Sequence, residues 1–163
     1  MIRTVTLDDA AQLAALYNFY IRTSVVTFEE VEIGSEEMAN RIQRIHFIAG
    51  FPYIVYEIEN QIVGYAYANT WRERNAYRFT VESTVYVASG QFGKGIGSAL
   101  YSELIAQVKQ KGYRAVIGGI ALPNYASVIL HEQFGFKRCG VFKNVGFKFD
   151  QWIDVGFWQL EVE

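Results

Sequence analysis

The sequence predicts an α/β fold, one mixed β-sheet of about six to seven strands with about four helices on its faces. Three observations carry this expectation. Apolar residues recur at helical spacing near the N-terminus, then alternate with period two between Tyr53 and Val87. A glycine-rich run, GQFGKGIGS, separates a β-rich segment from a second helical one. The chain has 163 residues, 51% of them hydrophobic and 20% charged, which suits one globular domain over 1–163. A chain of this size buries about 70% of its unfolded surface, so it holds a core without metal or disulfide.

Each element follows from a local pattern. Ile2–Val5 reads as a short strand. Thr6 precedes Asp8 and Asp9, an N-cap with acids in the first turn, and Leu13, Leu16, Tyr17 and Tyr20 follow on one helical face. A second helix opens at Ser35 with Met38, Ile42 and Ile45 on one side. Tyr53–Glu59 and Ile62–Thr70 are β-rich runs around Asn60 and Gln61, a hairpin. Phe79–Val87 is a long strand. Phe79, Val81, Ser83, Val85 and Val87 fall on one face, and Thr80, Glu82, Thr84 and Tyr86 on the other. After the glycine run, Leu100, Leu104, Ile105 and Val108 form a helical stripe, and Gly112 sits where a left-handed helix stop belongs. Ala115–Ala121 is apolar throughout, as in a strand buried on both faces. Pro123 and Asn124 open a helix ending near Gly135. Strands around Phe136–Phe142 and Ile153–Glu161 close the chain.

Composition excludes several function classes. The formal charge is −2, with no basic excess for general nucleic-acid binding. No run of eighteen apolar residues is present, and the N-terminus lacks a signal-peptide stretch, so a cytoplasmic protein is expected. Cys139 stands alone, and with His46 and His131 it makes no zinc spacing, so no metal is expected. Aromatics reach 16%, more than a core needs, which suits a ligand cleft or a subunit interface. Those near the C-terminus, Phe147, Phe149, Trp152, Phe157 and Trp158, point to a homodimer.

Gly93, Gly95 and Gly97 let backbone N–H groups approach an anion at a helix start, and Lys94 adds a cation. A plain turn with packing glycines gives the same letters. Ile96-Gly97-Ser98 excludes a P-loop, which needs Lys-Ser or Lys-Thr after its last glycine. No acid stands where a dinucleotide fold needs one.

The run Val85-Tyr86-Val87, then GKGIG and a helix, resembles the acetyl-CoA loop of the GNAT acetyltransferase superfamily, and PNYASVILHEQFGF resembles its second cofactor element. WRERNAY, TVESTVYV, LHEQFGF and GFKFDQWIDVGFWQ are similar to the phosphinothricin and methionine sulfoximine N-acetyltransferase family, over nearly the whole chain. Phe92 departs from the Arg or Gln usual before the first loop glycine, with Gln91 one earlier.

The resemblance implies a sheet splayed at the cofactor and direct acetyl transfer to an α-amino group within a ternary complex. The cofactor residues it implies are Val85, Tyr86 and Val87, then Gly93, Lys94, Gly95, Ile96, Gly97 and Ser98, with Asn124 and Ser127; ordinary helix capping is the other reading of the last two. Glu82 on its own reads as a surface carboxylate or an ion-paired one, with Arg78 as a candidate partner; the resemblance makes it the general base. His131 is a thiolate acid, a substrate ligand or a structural residue. Trp71, Arg72, Arg74 and Tyr77 stand before the catalytic strand, where arginines suit an acceptor's phosphinate or carboxylate oxygens, and Phe28 with Glu29 closes the other side. The alternatives are acetylation of another small amine and a non-catalytic acyl-CoA-binding module.

Overall fold

The computed structural model describes residues 1–163. Its seven strands are β1 (Ile2–Thr4), β2 (Tyr53–Ile58), β3 (Gln61–Thr70), β4 (Thr80–Val87), β5 (Ala115–Leu122), β6 (Lys137–Lys148) and β7 (Gln151–Glu161). They form one sheet in the order β1-β2-β3-β4-β5-β7-β6. The helices are α1 (Ala10–Thr23), α2 (Ser35–Ile42), α3 (Ile96–Gln110) and α4 (Tyr125–Gln133).

Period-two alternation in the strands builds two cores. Tyr53, Val55 and Tyr65 pack under Leu13, Ile21, Met38 and Ile42 of α1 and α2. Ile54, Ala66 and Val81 face the opposite way, under Leu100, Leu104 and Val108 of α3. Burying one such aliphatic side chain contributes about 1.5–3 kcal/mol. Each expected stripe is thus a real contact surface.

Every neighbouring pair is antiparallel except β4 and β5. These two run parallel and pair only from Thr80–Ala115 to Glu82–Ile117. β4 continues to Val87 against β3, and β5 continues to Leu122 against β7. The sheet therefore splits on one side of Glu82.

Four expectations are corrected. β5 is not buried on both faces throughout: Gly119 is exposed, because β4 has left its side by then. The helix from Ser35 does not run regularly to Ile45; it widens over Gln43–Ile48 into i→i+5 turns, which still bury Ile45. The β2–β3 turn sits at Glu59–Asn60, both at positive φ, one residue before the expected pair. β6 runs to Lys148, well past Phe142, and reverses at Phe149–Asp150, where φ is +52° and +56°. Nothing there spells an Asn-Gly hairpin, and an irregularity between Phe142 and Gly146, with Asn144 at φ +54°, breaks the alternation.

Candidate active site

The split between β4 and β5 opens as a cleft of about 310 Å³. Glu82–Tyr86 of β4 forms one wall. Gly119–Ala121 of β5 and Asn124, Ser127 and His131 of α4 form the other. Val26–Phe28, after α1, and Val155 and Phe157 of β7 close one end.

Past Glu82, β4 has no strand on its β5 side. Successive residues in a strand turn their backbone groups to alternate edges. Arg114 N–H donates to Phe79 C=O, and Ala88 N–H donates to Val63 C=O on the β3 side, so odd-numbered residues face β5. Val85 N–H and C=O therefore face the open edge. The Tyr20 hydroxyl donates to Val87 C=O and covers the end of that edge.

Beyond the edge lies the glycine run. Gly90, Gly93 and Gly95 have φ of +81°, +73° and +78°, a region that side chains rarely adopt. Gly95 caps α3 without a side chain, and the first N–H bonded back into the helix is that of Ala99, to Gly95 C=O at 2.9 Å. The N–H groups of Ile96, Gly97 and Ser98 are left free at the positive end of the helix. Lys94 Nζ donates to Gln91 Oε1 at 3.0 Å, while Phe92 is exposed.

Glu82 has no ion-pair partner. Arg78, the expected one, lies over the Phe79 ring and donates to Asn75 C=O, which corrects the paired reading. Burial alone pushes the Glu82 carboxyl above the usual carboxylate range.

His131 lies opposite and is 4% exposed. Its Nδ1 is 2.6 Å from Ser127 C=O, which only accepts, so Nδ1 carries the proton. Nε2 then accepts from the Tyr101 hydroxyl at 2.7 Å, and Ser83 Oγ lies 2.9 Å from the Tyr101 oxygen. Desolvation holds the imidazole below its ordinary pKa, and therefore neutral near pH 7. Tyr101 and Ser83 also line the cleft, and neither was singled out from sequence. The signal was present: a tyrosine on a core-facing helical stripe needs a partner for its hydroxyl.

Asn124 Oδ1 accepts from Ser127 N–H at 3.1 Å, so Asn124 caps α4 while both residues line the cleft. Phe28 lines it too, whereas Glu29 turns away to a bidentate pair with Arg41. Trp71, Arg72, Arg74 and Tyr77 line a separate open hollow with Glu73. Trp71 stands edge-on to Phe157 with ring centres 5.7 Å apart, so the hollow and the cleft share that wall. The Arg72 guanidinium stacks 5.0 Å from the Trp71 ring. Cys139 is exposed on the edge strand β6.

A split sheet, a bare strand edge and a helix that opens on free N–H groups offer one channel to an extended amide chain that ends in a phosphate. The acetyltransferase (GNAT) domain family model matches residues 2–156, and the chain belongs to that family as an acyltransferase. Phosphinothricin N-acetyltransferase of Streptomyces viridochromogenes is 40% identical over 99% of this chain and 87% of its own. The L-methionine sulfoximine/L-methionine sulfone acetyltransferase of Salmonella typhimurium is 31% identical over 99% and 94%. Among solved structures, a GNAT superfamily phosphinothricin acetyltransferase from Sinorhizobium meliloti in complex with acetyl-CoA is 36% identical. It superposes with a TM-score of 0.96 over 99% of this chain and 88% of that one.

Proposed function

We propose that the protein transfers acetyl from acetyl-CoA to the α-amino group of a small amino acid analogue of the phosphinothricin or methionine sulfoximine type. The observation that carries this reading is Glu82, a carboxylate with no protein partner and a raised pKa at the split of the sheet. The relatives supply the acceptor class.

The free edge at Val85–Val87 suits the amides of pantetheine, whose thioester carries the acetyl group. The glycine run Gly93–Ser98 and Lys94 suit the pyrophosphate. Asn124 and Ser127 border the same channel. Glu82 takes the proton from the acceptor's ammonium, which an α-amino group carries at neutral pH. The amine nitrogen then attacks the thioester carbon, a β4 N–H stabilises the oxygen as it turns negative, the C–S bond breaks as the coenzyme A thiolate leaves, and the proton that the nitrogen sheds on becoming an amide goes to that sulfur. His131 acts through its neutral ring, which holds the Tyr101 hydroxyl at the cleft. Arg72 and Arg74, with Trp71 and Tyr77, meet the acceptor's anionic oxygens, and Phe28 bounds its side chain.

We also propose a cytoplasmic homodimer. An unpaired, exposed thiol at Cys139 suits a reducing compartment. No helix is long and apolar enough to cross a membrane. Phe147, Phe149 and Trp152 expose 52%, 52% and 67% of their surface beside the edge strand β6. Phe157 and Trp158, counted with them from sequence, turn instead to the cleft and the core. A monomeric mass by light scattering at micromolar concentration removes the dimer.

The test of function is an acceptor screen with acetyl-CoA and thiol release as readout. Release with anionic amino acid analogues, and little with polyamines or aminoglycosides, supports the reading. Release only with cationic amines overturns it.

A further inference from the structure

Two residues of β6 lie behind the acceptor end of the cleft without lining it. Gly146 is buried, and its backbone is not in the left-handed region. The three atoms nearest a Cβ built there all belong to the Phe28 ring, at 2.4, 2.5 and 3.1 Å. Real Cβ contacts are not that short, so the ring occupies a notch that only glycine leaves. Lys148, two residues on, is 1% exposed. Its ammonium donates to Ser24 C=O and Thr27 C=O, both at 2.8 Å, and so clamps the segment that ends at Phe28. From the other side, the buried Tyr17 hydroxyl shares a hydrogen bond with the Thr27 hydroxyl at 2.6 Å. The Phe28 ring thus fronts the cleft and is backed by β6, more than a hundred residues away in the chain.

We infer that Gly146 and Lys148 are positioning residues that set the width of the acceptor end, and with it the side-chain size accepted, by seating Phe28. This rests on the reading above that Phe28 bounds the acceptor. Phe28 is 42% exposed, so its ring can yield to a new methyl. The closest contacts of that methyl all fall on the ring, so the ring is the first group to move. Gly146→Ala pushes the ring toward the cleft and narrows it. The cofactor edge at Val85 lies on another strand and is untouched.

The experiment is a double-mutant cycle of Gly146→Ala and Phe28→Ala. Steady-state kinetics are measured on amino acid acceptors graded in side-chain volume, and separately with acetyl-CoA varied. A misplacement of about 1 Å can cost about 100-fold, so a shifted wall raises acceptor KM by about tenfold or more in Gly146→Ala, most for the largest side chain. The KM for acetyl-CoA stays within about twofold, as a purely structural lesion would not allow. In the Phe28→Ala background, Gly146→Ala has almost no effect, because the atom it strikes is gone. Equal losses in both backgrounds, or a matching rise for acetyl-CoA, overturn the inference. If Phe28→Ala alone leaves acceptor kinetics unchanged, the placement of the acceptor fails; if it alters them while Gly146→Ala is silent, only the positioning role fails. Should Gly146→Ala not fold, rescue by Phe28→Ala supports the coupling, and failure of both proteins to fold overturns it.

Discussion

Glu82 and His131 face one cleft from opposite walls, and the same burial acts on both. It pushes the carboxyl up and the imidazole down, so each favours its neutral form. What differs is the company they keep. Glu82 has no protein partner, whereas both nitrogens of His131 are engaged, by Ser127 C=O and the Tyr101 hydroxyl. The backbone repeats the contrast. α3 starts with three uncapped N–H groups, whereas Asn124 caps α4 on the far wall. One wall keeps its hydrogen-bonding capacity for ligands, and the other has spent it on holding itself in place.

The largest effect falls on the bare wall. Glu82→Gln keeps the volume and removes the basic group, so turnover drops while acetyl-CoA still binds. Loss of a general base costs about 10²–10⁴-fold. With Glu82 as the proposed base, the parent should work only with that carboxyl ionised, and activity should fall as pH drops through a pKa raised above the ordinary carboxylate value. Glu82→Gln lacks that limb, and its residual rate climbs with pH as the acceptor amine loses its proton. A pH–rate profile of both proteins checks this. Turnover within about threefold of the parent at pH 7 takes Glu82 out of the mechanism.

Next comes the uncapped helix. Gly97 has an ordinary helical backbone, and a Cβ added there meets Leu130 at 3.5 Å and Val87 at 3.7 Å, normal contacts. Gly97→Ala therefore folds, and its methyl stands in the path of a ligand drawn to the helix N-terminus. We expect acetyl-CoA KM to rise by about tenfold or more with acceptor KM unchanged, since close backbone approach is what makes such a terminus an anion site. Gly95→Val is a poorer probe, because φ of +78° strains any side chain before a ligand arrives. Normal acetyl-CoA affinity in folded Gly97→Ala moves the pyrophosphate elsewhere.

The sequence made the facing residues of the cleft readable and hid what ties them together. Glu82, Val85 and the glycine run lie within seventeen consecutive residues, so strand alternation and the glycine pattern place them together. Tyr101, Ser83, Phe157 and Gly119 come from three strands and a helix, and only the order of strands in the sheet joins them. Strand alternation places Ser83 on the face opposite Glu82, but that face reads as core. Nothing in its spelling says that the core there holds a polar chain running to His131. The hairpin end at Phe149–Asp150 was missed for another reason: its turn sets two non-glycine residues at positive φ, against local preference. The arginines of WRERNAY were grouped with the acceptor by type and position. In the fold they line a neighbouring hollow that meets the cleft through Trp71 and Phe157.

The smallest effect on catalysis is expected where Tyr101 ties the two walls together, from Tyr101→Phe. The ring stays and the hydroxyl goes, which leaves His131 Nε2 without a donor and Ser83 Oγ with only a 3.5 Å contact to Ile117 C=O. A buried group left unpaired costs about 1–3 kcal/mol. In a chain of this size each kcal/mol lowers the melting temperature by about 2–4 °C. Turnover should stay within about threefold if, as proposed, this hydrogen-bonded chain positions groups and exchanges no proton. The pH dependence of stability gives a second readout. His131 has a folded pKa below its ordinary 6.5, so it contributes stability above that value, lost as pH falls through the folded pKa. Burial is what lowers the pKa of the ring, so parent and Tyr101→Phe should both lose melting temperature between pH 8 and pH 5. A drop in turnover of tenfold or more at unchanged melting temperature would reverse the contrast between the walls. The chain from Ser83 through Tyr101 to His131 would then be a proton path.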